Sequence, residues 1–178
     1  MRRPLDPDRL REVLAALGQA CRGPGVVYLT GGATALLKGW RRATVDLDLK
    51  LDPEPEGAFA AIARIKEELE VNVELASPDD FLPRLRDWRE QSPLVGRFGP
   101  LEVRHYDLRA QALAKLARGF ERDLEDVRAM LDRALVDCDD LRSAFAEMAP
   151  RLERFPRISA PELARRLAEL CPSGGAAQ

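Results

Sequence analysis

The 178-residue sequence predicts an α+β fold, a mixed β-sheet palm with flanking helices followed by a helical C-terminal portion. Three observations lead there. Val26 to Thr30 is a short, β-branched-rich run that ends at Gly31-Gly32 and gives way to helix formers. Val45 to Leu51 alternates strictly between apolar and polar residues. From Asp107 onward the chain reads as helix. The expected organisation is a palm over residues 1–106, a helical portion over 107–172 packed on it, and a frayed tail over 173–178.

The elements follow in order. Asp6-Pro7-Asp8 opens a helix, with a capping carboxylate and then proline, and Leu10, Val13, Leu14 and Leu17 recur at helical spacing until Gly23-Pro24-Gly25 stops it. Strand, tight Gly-Gly turn and a helix over Ala33 to Trp40 come next. In the following strand Val45, Leu47, Leu49 and Leu51 share one face, and Asp46, Asp48 and Lys50 share the other. After the break at Asp52-Pro53-Glu54-Pro55, an apolar stripe of Phe59, Ile62, Ala63 and Leu69, with Lys66, marks a helix. Val71 to Leu75 alternates again, with Asn72 and Glu74 on its polar face. Residues 77–83 read as a loop, and Leu94 to Tyr106 as a hairpin turning at Gly99-Pro100. One long helix is expected from Leu108 to about Leu135, then helices over Leu141 to Met148 and Ala160 to Leu170, the last opened by Ser159-x-Pro161-Glu162.

Composition narrows the class without naming a partner. The chain is 46% apolar and 33% charged with a net charge of −2, so a nucleic-acid partner needs a local basic patch rather than a basic protein. Cys21, Cys138 and Cys171 stand far apart without a CxxC pair, so neither a zinc site nor a disulfide framework is expected and a cytoplasmic location is. No stretch has the apolar length of a signal peptide or a membrane span, so no membrane partner is expected.

Residues two apart on a strand point the same way, so Asp46 and Asp48 reach into one pocket as a pair of hard oxygen donors suited to divalent cations. Gly31 and Gly32 allow close approach of the backbone, and the helix beyond them aims unpaired N–H groups outward, an arrangement that suits phosphate. Either motif alone is common. Their order, separation and alternation make one site of them.

The run Leu29-Thr30-Gly31-Gly32-Ala33-Thr34 through Arg42-x-Thr44-x-Asp46-Leu47-Asp48-Leu49 resembles the start of the minimal nucleotidyltransferases related to the AbiEii and MenT toxins of bacterial toxin–antitoxin systems, including the DUF6036 group. Lys115-Leu116-x-Arg118 with Arg122-Asp123-x-x-Asp126 resembles their helical motif, so the likeness spans roughly residues 26–131. The resemblance implies a nucleotidyltransferase-fold palm that moves an NMP from an NTP such as ATP to an acceptor hydroxyl, with two Mg²⁺ ions, or Mn²⁺, between the reacting groups. The acceptor it implies is tRNA, another RNA or a protein, and the setting a toxin with a cognate antitoxin. In that reading Asp46, Asp48 and Glu74 hold metal, and Gly31, Gly32, Thr34, Arg42, Thr44, Lys115 and Arg118 hold nucleotide. Lys115 clamps phosphate while Asp123 completes the catalytic set. Where many relatives carry Ser, this chain has Gly32, leaving backbone N–H groups to serve alone.

Several residues keep two readings. Glu74 is either a third ligand or general base, or an exposed strand carboxylate. On a continuous helix Lys115, Arg118, Arg122 and Asp126 form one polar sector, opposite Leu116, Phe120, Leu124, Val127 and Leu131; that sector is either a phosphate grip or a salt-bridged solvent face. Arg41 meets phosphate or solvent, His105 reads as structural, and Trp40 and Trp88 read as packing residues rather than base platforms. Two other functions share the fold: a non-catalytic nucleotide- or partner-binding module, and a small-molecule nucleotidyltransferase resembling the aminoglycoside enzymes.

Overall fold

A computed structural model of the protein describes residues 3–172, which form seven α-helices and a five-stranded mixed sheet. The chain divides into two compact units, one of Met1–Ser77 with Arg89–Tyr106 and one of Pro78–Trp88 with Asp107–Gln178. Residues 78–88, expected in the palm, belong to the second unit. The expected tail over 173–178 lies outside the described residues.

In the first unit, helix α1 (Pro7–Ala20) starts as its sequence dictates, with the Asp6 carboxylate accepting the Arg9 N–H at 2.8 Å. Leu10, Val13, Leu14 and Leu17 form its buried stripe. Strand β1 (Gly25–Leu29), helix α2 (Gly31–Leu37), strand β2 (Asp46–Leu51), helix α3 (Ala58–Glu68), strand β3 (Asn72–Leu75) and the hairpin β4 (Leu94–Phe98) and β5 (Leu101–His105) follow. The sheet order is β3-β2-β1-β5-β4, with β1 antiparallel to β2 and parallel to β5, β2 parallel to β3, and β4 antiparallel to β5.

Val27, Leu29, Leu47, Leu49, Val73, Leu101 and Val103 join the helix stripes in one core. Each such side chain contributes roughly 1.5–3 kcal/mol by leaving water. The period of two then assigns Tyr28, Asp46, Asp48, Lys50, Asn72, Glu74, Glu102 and Arg104 to the opposite face of the sheet. Two glycines let α1 settle on the hairpin: a Cβ at Gly18 would stand 2.3 Å from the Phe98 carbonyl oxygen, and one at Gly99 would stand 2.8 Å from that of Gly18.

Two local expectations change. Helix α3 buries Ala58, Ala61, Ile62 and Ile65, while Phe59 is 57% exposed, because the face that meets the core is rotated from the stripe expected of it. Val45 is exposed just outside β2 and does not extend the strand's apolar row.

The second unit contains helices α4 (Leu108–Arg118), α5 (Glu121–Asp132), α6 (Cys138–Met148) and α7 (Ala160–Leu170), with a 3₁₀ turn at Pro78–Asp80. The single helix expected over residues 108–135 is two, because Gly119 adopts φ +70° and caps α4 in the left-handed conformation. Helix α5 consequently buries Asp123, Asp126, Val127 and Met130, and leaves Phe120 exposed at its cap. Asp107 caps α4, and Arg109 bonds both Asp107 and Asp87, an environment that raises the guanidinium pKa further above its ordinary value. Trp88 is buried beneath the Arg84 guanidinium, 5.4 Å from the ring centre.

The cysteine expectation is overturned: Cys138 and Cys171 form a disulfide between the first turn of α6 and the end of α7. Helix packing brings together two residues whose spacing carries no pattern. Cys21 is a buried free thiol whose pKa burial pushes up. No helix among the described residues is long and apolar enough to cross a membrane.

Candidate functional site

The site begins where β1 ends. Thr30 is extended, and its N–H donates to the Asp48 carbonyl at 3.1 Å, which ties the start of α2 to β2. Gly31 follows with φ +54°, a conformation that favours glycine. A Cβ there would lie 3.0 Å from Asp48 Oδ2, so the bare backbone of Gly31 sits against that carboxylate. The two glycines form the first turn of α2 rather than a separate turn before it.

Gly32 has a different neighbour. A Cβ at this position would stand 2.1 Å from Thr44 Oγ1, so the Thr44 side chain fills the space that a serine at position 32 would occupy. The Thr44 hydroxyl donates to the Asp46 carbonyl at 3.1 Å. Thr34 is buried and donates to the Leu29 carbonyl at 3.1 Å. With that hydrogen committed, the His105 Nδ1 lying 3.1 Å from Thr34 Oγ1 acts as the donor. Thr34, expected to contact nucleotide, is held here between the Leu29 carbonyl and His105. Burial, with a smaller contribution from nearby Lys38, lowers the His105 pKa to about 4 and keeps the ring neutral.

The carboxylates come from two adjacent strands. In the β2–β3 register Asp46 stands opposite Asn72 and Asp48 opposite Glu74. The Asn72 amide nitrogen donates to Asp46 Oδ1 at 2.7 Å and to Glu74 Oε1 at 2.8 Å, holding the two acids on either side of one neutral group. Asp48 and Glu74 stand directly opposite in the register, so two acids of neighbouring strands share one place on the sheet face. Asp46 and Glu74 are exposed and Asp48 half-buried. The donor set is oxygen-rich and hard, which suits Mg²⁺. Among the described residues no three His, Cys, Asp or Glu side chains stand as a ready-made metal cage. Arg42 is exposed and Arg41 half-buried.

The helical residues form their own network in the second unit. Lys115 is 4% exposed, and its Nζ donates to Asp126 Oδ2 at 2.5 Å and Asp123 Oδ1 at 3.5 Å. Arg118 closes the network with a two-point bond to Asp123 at 3.0 and 2.7 Å. Two cations and two carboxylates balance within it, and Arg122 is exposed outside it. Lys115 and Arg118, expected on phosphate, are engaged here by carboxylates, because the Gly119 break folds α5 back so that Asp123 and Asp126 face α4.

Asn72 was visible in the sequence only as a member of a polar face, and Asp126 as a member of the helical motif on a polar sector. Asn72 gains its role from strand pairing, and Asp126 from the helix break. The chain matches no protein-family model, no curated protein and no solved structure.

Proposed function

We propose that the protein is a divalent-cation-dependent nucleotidyltransferase that moves an NMP from an NTP to an acceptor hydroxyl. The acceptor class is RNA, with tRNA foremost, and the biological setting is the toxin of a toxin–antitoxin pair in the cytoplasm. What carries the reading is the contact between the Gly31 backbone and the Asp48 carboxylate. It joins the glycine turn and the acidic strand, two motifs fourteen or more residues apart, into one locus, and the register adds Glu74 to it.

In this reading Asp46 and Asp48 hold Mg²⁺ and Glu74 is the third acid. When bound, the metal lowers the pKa of the attacking hydroxyl and stabilises charge on the departing pyrophosphate. Asn72 spaces Asp46 and Glu74, and Gly31 carries no side chain that would crowd the Asp48 carboxylate. The Lys115 network orders the helical unit, so the phosphate-clamping role is left to backbone N–H groups and to exposed Arg42.

The test is incubation with each labelled NTP, Mg²⁺ and total cellular RNA or protein. Label should appear on an acceptor, and Asp46→Ala should abolish it. The engagement of Lys115 by Asp126 favours a second reading, a nucleotide-binding module of the same fold without turnover. Nucleotide binding with no transfer of label from any NTP would establish that one instead.

A further inference from the structure

We propose that the Cys138–Cys171 disulfide is a redox latch on α7, and that its opening is transmitted to the last turn of α4. The bond joins the first residue of α6 to the C-cap of α7 across 33 positions. Helix α7 has eleven residues, too few to hold a helix in water without packing. It buries only Leu163 and Leu167 along its length, with Cys171 at its end. Arg142 of α6 adds a hydrogen bond to the Cys171 carbonyl at 2.9 Å, so the covalent and polar holds on the end of α7 share one place.

What α7 contributes to its neighbour is a side-chain cap. Arg166 donates to the carbonyls of Leu116 at 2.8 Å and Ala117 at 3.0 Å, two of the acceptors that the end of α4 leaves without intrahelical partners. Glu162 steadies the guanidinium from one turn earlier, at 3.0 Å. Gly119 makes the cap possible, since a Cβ there would lie 2.1 Å from Arg166 Cζ. Leu116 and Ala117 sit between Lys115 and Arg118, so the cap fixes the turn that presents both cations to Asp123 and Asp126.

A thiol reductant supplies the chemistry. Its thiolate attacks one sulfur to form a mixed disulfide, and a second reductant thiol displaces the first. The protein S–S bond is replaced by two Cys thiols, with two electrons and two protons delivered and the reductant left as its own disulfide. Cys138 is half-buried and Cys171 buried, so Cys138 is the more accessible half of the bond. Release frees the end of α7, loosens Arg166 and uncaps α4.

Hydrogen–deuterium exchange on the whole protein, with and without dithiothreitol, tests the latch. Reduction should speed exchange in α7 and in the last turn of α4 by about a hundredfold and leave the β-sheet unit unchanged. Arg166→Ala in the oxidised protein should speed the α4 turn alone. Unchanged exchange in α7 on reduction overturns the proposal, and so does equal acceleration everywhere, which would make the bond a general staple. Titration of three thiols rather than one in denatured, unreduced protein overturns it as well. Cys138→Ser with Cys171→Ser should reproduce the reduced pattern; if that variant fails to fold, the exchange of the reduced natural protein decides.

Discussion

Gly32 and Thr44 divide a single volume, and each residue makes sense only beside the other. A side chain at position 32 would meet Thr44 Oγ1 at 2.1 Å and its Cβ at 2.9 Å. Gly32→Ser alone should therefore destabilise the protein by about 1–3 kcal/mol through overpacking. Combining it with Thr44→Ala should recover most of that loss, a coupling that urea unfolding of the two singles and the double would measure. His105 makes a separate prediction. Its pKa is about 4 in the folded protein against 6.5 for an unperturbed ring, so the unfolded chain binds more protons between those values. Stability should fall as pH drops from about 6.5 toward 4, by up to roughly 3 kcal/mol from this residue. His105→Asn retains a donor for Thr34 and should show a smaller loss between pH 7 and pH 5 in paired urea titrations.

At the level of elements, strict periodicity was readable and interruptions of it were not. Strand β2 alternates without exception, and α1 carries a proline start, a capping Asp and four leucine-type contacts, so both stand close to where their residues place them. The helical pattern runs through Gly119 without a visible break, because Lys115, Arg118, Arg122 and Asp126 remain in phase on an ideal helix. Only the left-handed conformation at Gly119 reveals that Asp123 and Asp126 turn inward. The disulfide was illegible for a related reason: helix packing, not sequence spacing, brings its cysteines together. The α4–α5 network yields a test of its own. Lys115→Met would remove the buried ammonium that bonds Asp126 at 2.5 Å and should cost about 3–5 kcal/mol by chemical denaturation. A lysine that served only to grip a ligand would leave stability almost unchanged.

Across the whole molecule, the proposed activity and the stability of the protein pull in opposite directions at the sheet's polar face. Asp48 and Glu74 stand directly opposite on adjacent parallel strands, and Asp46 lies two residues from Asp48. Like charges directly opposite on neighbouring strands tend to cost stability, and a bound cation offsets such a cost. Asp48→Asn keeps the size and an acceptor oxygen beside Gly31 while removing one of the opposed charges. In chelator it should raise stability by about 0.2–1 kcal/mol. In excess Mg²⁺ the order should reverse: at tenfold the dissociation constant, cation binding adds about 1.4 kcal/mol to the unsubstituted protein, and the variant gains little. Nucleotidyl transfer should be lost in both conditions. Thermal unfolding of the two proteins with EDTA and with Mg²⁺ reads the first effects without reference to activity. A variant that melts lower than the natural protein in EDTA would show that the Asp48 charge stabilises the fold without a metal.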